Sequence, residues 1–416
     1  MPFGLQGYPF SATNSSLFRG GALRFHRGCA SATMSRMDTT PHPVPFSAGL
    51  PKLGFGLMRL PRKDGAIDLP QVCDMVDRFL AAGCVYFDTA YVYDGSEEAA
   101  REALVKRHPR DSFLLATKLA AWAGCQSRED AIRQFETSLE RTGAGHFDFY
   151  LFHNLGPGRT EAFDRFGLWD WALERRDEGR IRHFGFSFHS TPDELDRLLR
   201  AHPEVEFVQL QINYADWDDP VVRSRENLEV ARRHGKPVVV MEPVKGGLLA
   251  TPPDPVAEIL RRADPASSLP SWALRFAAGL PGVMTVLSGM SSLEQMDDNL
   301  AHLAPGRCRP FGDADLAVLA EARAALATMP TVPCTSCGYC EKVCPAGIGV
   351  RGSIAALNQL VLYRNETRAR NYEQWQVVKA GKKRAAECLR CGACEKACPQ
   401  RIAIRDALAK AAAAFA

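Results

Sequence analysis

The sequence predicts a closed (β/α)₈ TIM barrel followed by a small, mainly α-helical module rich in cysteine. Three observations predict it. Between Lys52 and Leu300, eight short apolar, β-branched runs alternate with amphipathic stretches. Eight of the thirteen cysteines fall in two tight C-terminal groups of identical spacing. Between these regions, "DADLAVLAEARAALA" has the composition of a single connecting helix. The expected organisation is an N-terminal extension over 1–45, a barrel over 46–305, a linker helix within 306–330 and a cysteine-bearing domain over 331–416.

The first 37 residues hold Arg19, Arg24, Arg27 and Arg36 and no acidic residue before Asp38. That composition fits an organellar transit peptide, or a start placed upstream of Met34 or Met37. The second reading is preferred, so the extension is expected to be disordered or non-native and stays outside the fold. The strand candidates that follow are "LGFGLM", "CVYFD", "FLLATK", "FDFYLFH", "IRHFGFSF", "FVQLQIN", "PVVVME" and "VMTVLSG". Helical stretches such as "LPQVCDMVDRFLAAG" and "RENLEVARRHG" separate them. Strands alternating with helices imply parallel pairing, and eight units close a barrel. A doubly wound sheet is the competing architecture, but no GxGxxG follows the first strand.

Active sites of such barrels lie at the C-terminal strand ends. The second strand ends at Asp88 with Tyr93 just beyond, the third ends at Lys118 and the fourth at His153. Each residue alone has an ordinary structural explanation; four at strand ends of one barrel do not. With D-T-A-x-x-Y at Asp88 to Tyr93, Lys118 and His153, the region resembles the aldo-keto reductase family. The resemblance implies that Tyr93 is the general acid that protonates a substrate carbonyl. It implies that Lys118 stabilises the phenolate, that Asp88 holds Lys118, and that His153 orients the carbonyl.

The resemblance also implies a nicotinamide site. Ser187 and Gln211 match nicotinamide contacts, and Met241 stands where the family stacks a Tyr on the ring. Gly246 and Gly247 match the close approach to the diphosphate. Asp298 and Asn299 match adenine contacts. Gly289 and Gln295 occupy positions where NADP-preferring members often carry Lys and Arg, so NADPH and NADH both stay open as cofactor. A barrel can also bind flavin, though no motif indicates one.

The cysteine groups are "CTSCGYCEKVCP" and "CLRCGACEKACP". Both read C-x-x-C-x-x-C-x-x-x-C-P, the ferredoxin-type run whose fourth cysteine serves the other cluster. On that rule one [4Fe–4S] cluster takes Cys334, Cys337, Cys340 and Cys398. The other takes Cys388, Cys391, Cys394 and Cys344. Structural zinc would leave four of these unused. Cys29, Cys73, Cys84, Cys125 and Cys308 are scattered and read as ordinary thiols. Between the groups, "GSIAALNQLVLYRN" and "ARNYEQWQVV" read as helices. Basic residues from Arg351 to Arg384 read there as a solvated helix face, or as a surface that steers an acidic carrier. The whole chain therefore resembles the iron–sulfur-containing branch of the aldo-keto reductases.

Three functions follow as expectations. The first is reduction of an aldehyde or ketone with NAD(P)H, with two clusters carried alongside. The second is a ferredoxin-linked oxidoreductase that uses the clusters as a wire to ferredoxin or another electron carrier. The third is a non-catalytic ligand or redox sensor on the same scaffold. The formal net charge of +3 points to neither nucleic acid nor membrane, and no run approaches the length of a spanning helix; a cytoplasmic location with no nucleic-acid or membrane partner is expected. The expected partner is a small-molecule carbonyl compound.

Overall fold

The computed structural model describes residues 49–416 apart from Thr335. The expectations for residues 1–45, including Cys29, lie outside the described residues.

Eight parallel strands close into a barrel. They are β1 Leu53–Gly56, β2 Tyr86–Asp88, β3 Leu114–Leu119, β4 Phe147–Leu155, β5 Ile181–Phe188, β6 Phe207–Gln211, β7 Val238–Met241 and β8 Val283–Ser288. Closure is made by β1, where Gly54 pairs with Tyr86 on one side and Leu287 on the other. Each strand coincides with one of the apolar runs of the sequence.

Alternation along the strands sorts side chains into two layers. Tyr86, Phe149, Phe207, Val239 and Met284 fill the barrel interior. Phe149 touches Tyr86 at 4.9 Å and Phe207 at 5.3 Å between ring centroids. Gly185 is required there, since a Cβ would come within 2.5 Å of the Phe207 carbonyl oxygen. Outward residues such as Phe55 and Phe87 meet the surrounding helices. Helix α1 (Leu69–Ala81) buries Val72, Met75, Val76 and Phe79 against them, with Asp68 accepting from the Gln71 N–H as its cap. Helix α2 (Arg128–Thr142) starts with a reciprocal Ser127–Asp130 capping box and ends at Gly143 in the left-handed region.

The C-terminal wall is completed by α3 (Asp254–Ala263) and α4 (Leu293–Leu303). Helix α5 (Asp313–Ala327), read in the sequence as a linker, packs on this wall. Leu319 and Ala322 are buried, and Arg262 bonds Glu321 at 2.7 Å. A short exposed hairpin, Arg62–Lys63 with Ala66–Ile67, was not visible in the sequence pattern.

The module that follows is helical. Helix α6 (Val350–Tyr363) is followed by α7 (Glu366–Glu373), which runs on as a wider turn over Gln374–Val378, and by α8 (Ile404–Phe415). Ile354, Leu357, Ala369, Leu408, Ala411 and Phe415 form its core. Gly352 permits the close packing, because a Cβ would lie 2.8 Å from Val377 and 2.9 Å from the Gln376 carbonyl oxygen. Among the described residues no helix is long and apolar enough to cross a membrane.

Candidate functional site

At the C-terminal ends of β2 to β4 the structure brings Asp88, Lys118, Tyr93 and His153 together. Lys118 is 1 % exposed and Asp88 4 % exposed. The Lys118 ammonium donates to Asp88 and, at 2.7 Å, to the Thr89 carbonyl. Gln209, on β6, donates to the second Asp88 oxygen at 3.1 Å. The carboxylate is therefore fixed on both sides. Lys118 Nζ lies 5.0 Å from the centre of the Tyr93 ring. The Tyr93 and His153 rings meet edge-on at 5.8 Å. Trp122 meets His153 at 5.9 Å and donates to its carbonyl at 2.7 Å.

The electrostatics follow from burial. Burial alone would lower the Lys118 amine, yet Asp88 and Tyr93 hold it above its ordinary value. Burial pushes the Tyr93 phenol up, and Lys118 offsets only part of that. Tyr93 is therefore a protonated acid at neutral pH. Burial, then Lys118, His189 and Arg159, hold the His153 ring well below the imidazole range, so it is neutral. Its Nδ1 has no protein partner among the described residues.

A cavity of about 140 Å³ lies beside this centre, beyond the ends of β7 and β8. Six of the sequence-predicted cofactor residues line it: Gly246, Gly247, Gly289, Gln295, Asp298 and Asn299. Asn299 donates to Ser288 at 2.7 Å and Asp298 accepts from Ser268 at 2.7 Å, so both are held before any ligand arrives. The other three lie elsewhere. Ser187 accepts from the Asn154 N–H at 2.7 Å. Gln211 donates to Asp216 at 3.1 Å. Met241 ends β7, opposite Gln211.

In the module, Cys334, Cys337, Cys340 and Cys398 line one cavity. Cys344, Cys388, Cys391 and Cys394 line another. Among the described residues no cysteine is disulfide-bonded, and no three ligand-type side chains are close enough to share a single metal ion. Four thiols around each gap fit the donor set of a [4Fe–4S] core. Burial pushes the Cys340 thiol up to about 11. The two halves match in detail. Gly338 and Gly392, both left-handed, open the short helices Tyr339–Lys342 and Ala393–Lys396. Arg351 bonds Glu341 at 3.0 Å and Arg405 bonds Glu395 at 2.8 Å.

A family model described as the aldo/keto reductase family matches residues 52–305. The chain belongs to the aldo/keto reductase family. A 4Fe-4S dicluster domain model matches residues 333–403. An aldo-keto reductase of Strobilurus tenacellus is 31 % identical over 210 residues, 48 % of this chain and 59 % of that protein. The match thus spans less than two thirds of that relative's length. An aldo-keto reductase of Mycolicibacterium smegmatis is 28 % identical over 49 % of this chain and 68 % of its own. Among solved structures, an aldo-keto reductase from Bacillus halodurans in its holo form superposes with a TM-score of 0.52. It is 24 % identical and covers 65 % of this chain and 91 % of that one. An aldo-keto reductase from Klebsiella pneumoniae in complex with NADPH gives 0.51 at 22 % identity, over 65 % and 90 %. These likenesses show the barrel fold.

Several residues at this aldo/keto reductase site were not singled out in the sequence. Gln209 and Trp122 brace Asp88 and His153. Glu242 follows β7 on left-handed backbone, at a φ of 55°. Arg59 bonds it at 2.9 Å, and Arg368 of the module bonds it at 3.1 Å. The readable signal was Glu242 itself, an acid just before a glycine turn expected to face a diphosphate.

Proposed function

We propose that the protein reduces an aldehyde or ketone with NADPH or NADH at the barrel site and carries two [4Fe–4S] clusters in its C-terminal module. The observation that carries this reading is the convergence of Tyr93, Lys118, Asp88 and His153 at three adjacent strand ends. Bound nicotinamide supplies the hydride. Tyr93, protonated at neutral pH, gives its phenolic proton to the carbonyl oxygen. The phenolate left behind lies beside the Lys118 ammonium, which Asp88 and Gln209 hold in place. His153, neutral and braced by Trp122, offers a ring nitrogen to the same oxygen and fixes the carbonyl plane. Six of the residues lining the neighbouring cavity hold the dinucleotide, with Ser187, Gln211 and Met241 at its nicotinamide end. The cluster ligands are Cys334, Cys337, Cys340 and Cys398 for one and Cys388, Cys391, Cys394 and Cys344 for the other. A cytoplasmic location belongs to this reading.

A second reading is supported by the module's two four-thiol cavities, since one cluster would suffice as a staple. In it the clusters, which supply one-electron transfer, link the barrel site to ferredoxin or another carrier. One anaerobic experiment separates the two. The protein is mixed with an aldehyde and NADPH, NADH or reduced ferredoxin, and cluster oxidation state is followed by EPR. Turnover with nicotinamide while the clusters stay oxidised supports the reductase. Turnover with ferredoxin alone overturns it.

A further inference from the structure

The cavity beyond β7 and β8 has an electrostatic feature that a dinucleotide cleft should not tolerate. Glu242 lines it next to the Gly246–Gly247 turn. Burial would push its carboxyl up, but Arg59 and Arg368 pull it below its ordinary value, so it is charged. A carboxylate at that point repels a diphosphate unless the surrounding cations outweigh it.

Two cations do. Arg59, after β1, donates through Nη2 to Glu242 at 2.9 Å. Arg368, in the first turn of α7, donates through Nη2 to both Glu242 oxygens, at 3.1 and 3.4 Å. Its guanidinium covers Gly246 so closely that any Cβ there would collide with it. Arg59 reaches the other side, with Nη1 3.9 Å from where a Gly289 Cβ would stand. Two positive groups against one negative leave the cluster with a net charge of about +1. The Nε and Nη1 donors of both arginines have no acceptor among the described residues, and the two side chains are 33 % and 31 % exposed.

The turn itself is held rigid from below. Lys245, on left-handed backbone, bonds the buried Asp216, which also accepts from Asn213 at 2.8 Å. The module's buried Tyr363 lies close enough to Lys245 for the amine to pull on its phenol.

We propose that Arg368 of the iron–sulfur module, together with Arg59, binds the diphosphate bridge of the dinucleotide, so that the module completes the barrel's cofactor cleft. The inference rests on the nicotinamide reading of the barrel site. Planar guanidinium forks with unused donors suit two adjacent phosphates better than a lysine would.

The test is direct dinucleotide binding by anaerobic calorimetry, on protein with its clusters intact. Arg368→Gln is expected to weaken NADPH and NADH alike, by roughly tenfold to a hundredfold. Reduced nicotinamide mononucleotide, which has no diphosphate bridge, should be much less affected. Glu242→Gln is expected to tighten dinucleotide binding, because it removes the negative member. These opposite signs separate a binding role from a structural ion pair, for which both variants would weaken binding together. Unchanged or tighter binding in Arg368→Gln, with the cluster spectrum preserved, would overturn the inference. If the unaltered protein binds neither dinucleotide, the nicotinamide reading itself fails, and this inference with it.

Discussion

Replacing Asp88 by Asn tests how the buried Lys118 is held. The substitution keeps the volume and the acceptor toward Gln209 but removes the only carboxylate bonded to Lys118 among the described residues. Lys118 is 1 % exposed, and the Thr89 carbonyl at 2.7 Å and the Tyr93 hydroxyl would be its remaining partners, neither of them charged at neutral pH. Leaving a buried charge without its partner costs about 3–5 kcal/mol. For a domain of this size that is a fall in Tm on the order of 10 °C. Anaerobic thermal unfolding, followed by circular dichroism with cluster absorbance read separately, measures it. The double variant Asp88→Asn with Lys118→Met should recover most of the stability, because the unpaired charge is gone, and should still be inactive. A single variant within about 1 kcal/mol of the parent, or a double variant less stable than the single, would show that the Asp88 carboxylate is not what stabilises the buried Lys118 charge.

Other outcomes follow from the same geometry. Tyr93→Phe should lower carbonyl reduction by at least about a hundredfold while the EPR spectrum of the clusters is unchanged. The buried, neutral His153 predicts no imidazole limb in the reduction rate between about pH 6 and 8. Since its folded pKa is depressed, its effect on stability is absent above the unfolded value of about 6.5, and stability is lost as pH falls below it. Tyr93, raised above its ordinary value, predicts that reduction persists past about pH 10. Cys398→Ser and Cys344→Ser should each remove a different cluster, seen as loss of roughly half the iron with distinct EPR changes. Gly352→Ala should destabilise the module by about 1–3 kcal/mol, measured by cluster loss on heating, because the added methyl meets Val377 and a backbone oxygen.

The barrel was legible because each strand is an apolar run bounded by helix-forming segments. The run "IRHFGFSF" coincides with β5 from end to end. The Arg62–Ile67 hairpin was not, since its strands are two residues each and mostly exposed, with no periodicity to read. The strand-end residues were legible for a topological reason: parallel strands must end on the same face, so Asp88, Lys118 and His153 had to meet. The supports were not. Gln209 and Asp88 are 121 residues apart, and Arg368 and Glu242 126. No local pattern encodes such contacts. Arg368 registered only as one of several basic residues between the cysteine groups, read as a solvated face or a steering surface. Arg351, Arg370, Lys383 and Arg384 are each at least 41 % exposed and paired with a nearby carboxylate, as on a solvated face, whereas Arg368 reaches Glu242 of the barrel.

The proposed reaction of the barrel site is hydride transfer to a carbonyl. Protein incubated anaerobically with C4-deuterated NADPH or NADH and a simple aldehyde tests it most directly, with the alcohol read by mass spectrometry. Deuterium is expected on the alcohol carbon, and its transfer is expected to be lost in Tyr93→Phe. Alcohol formed without deuterium, while the clusters change oxidation state, would contradict it.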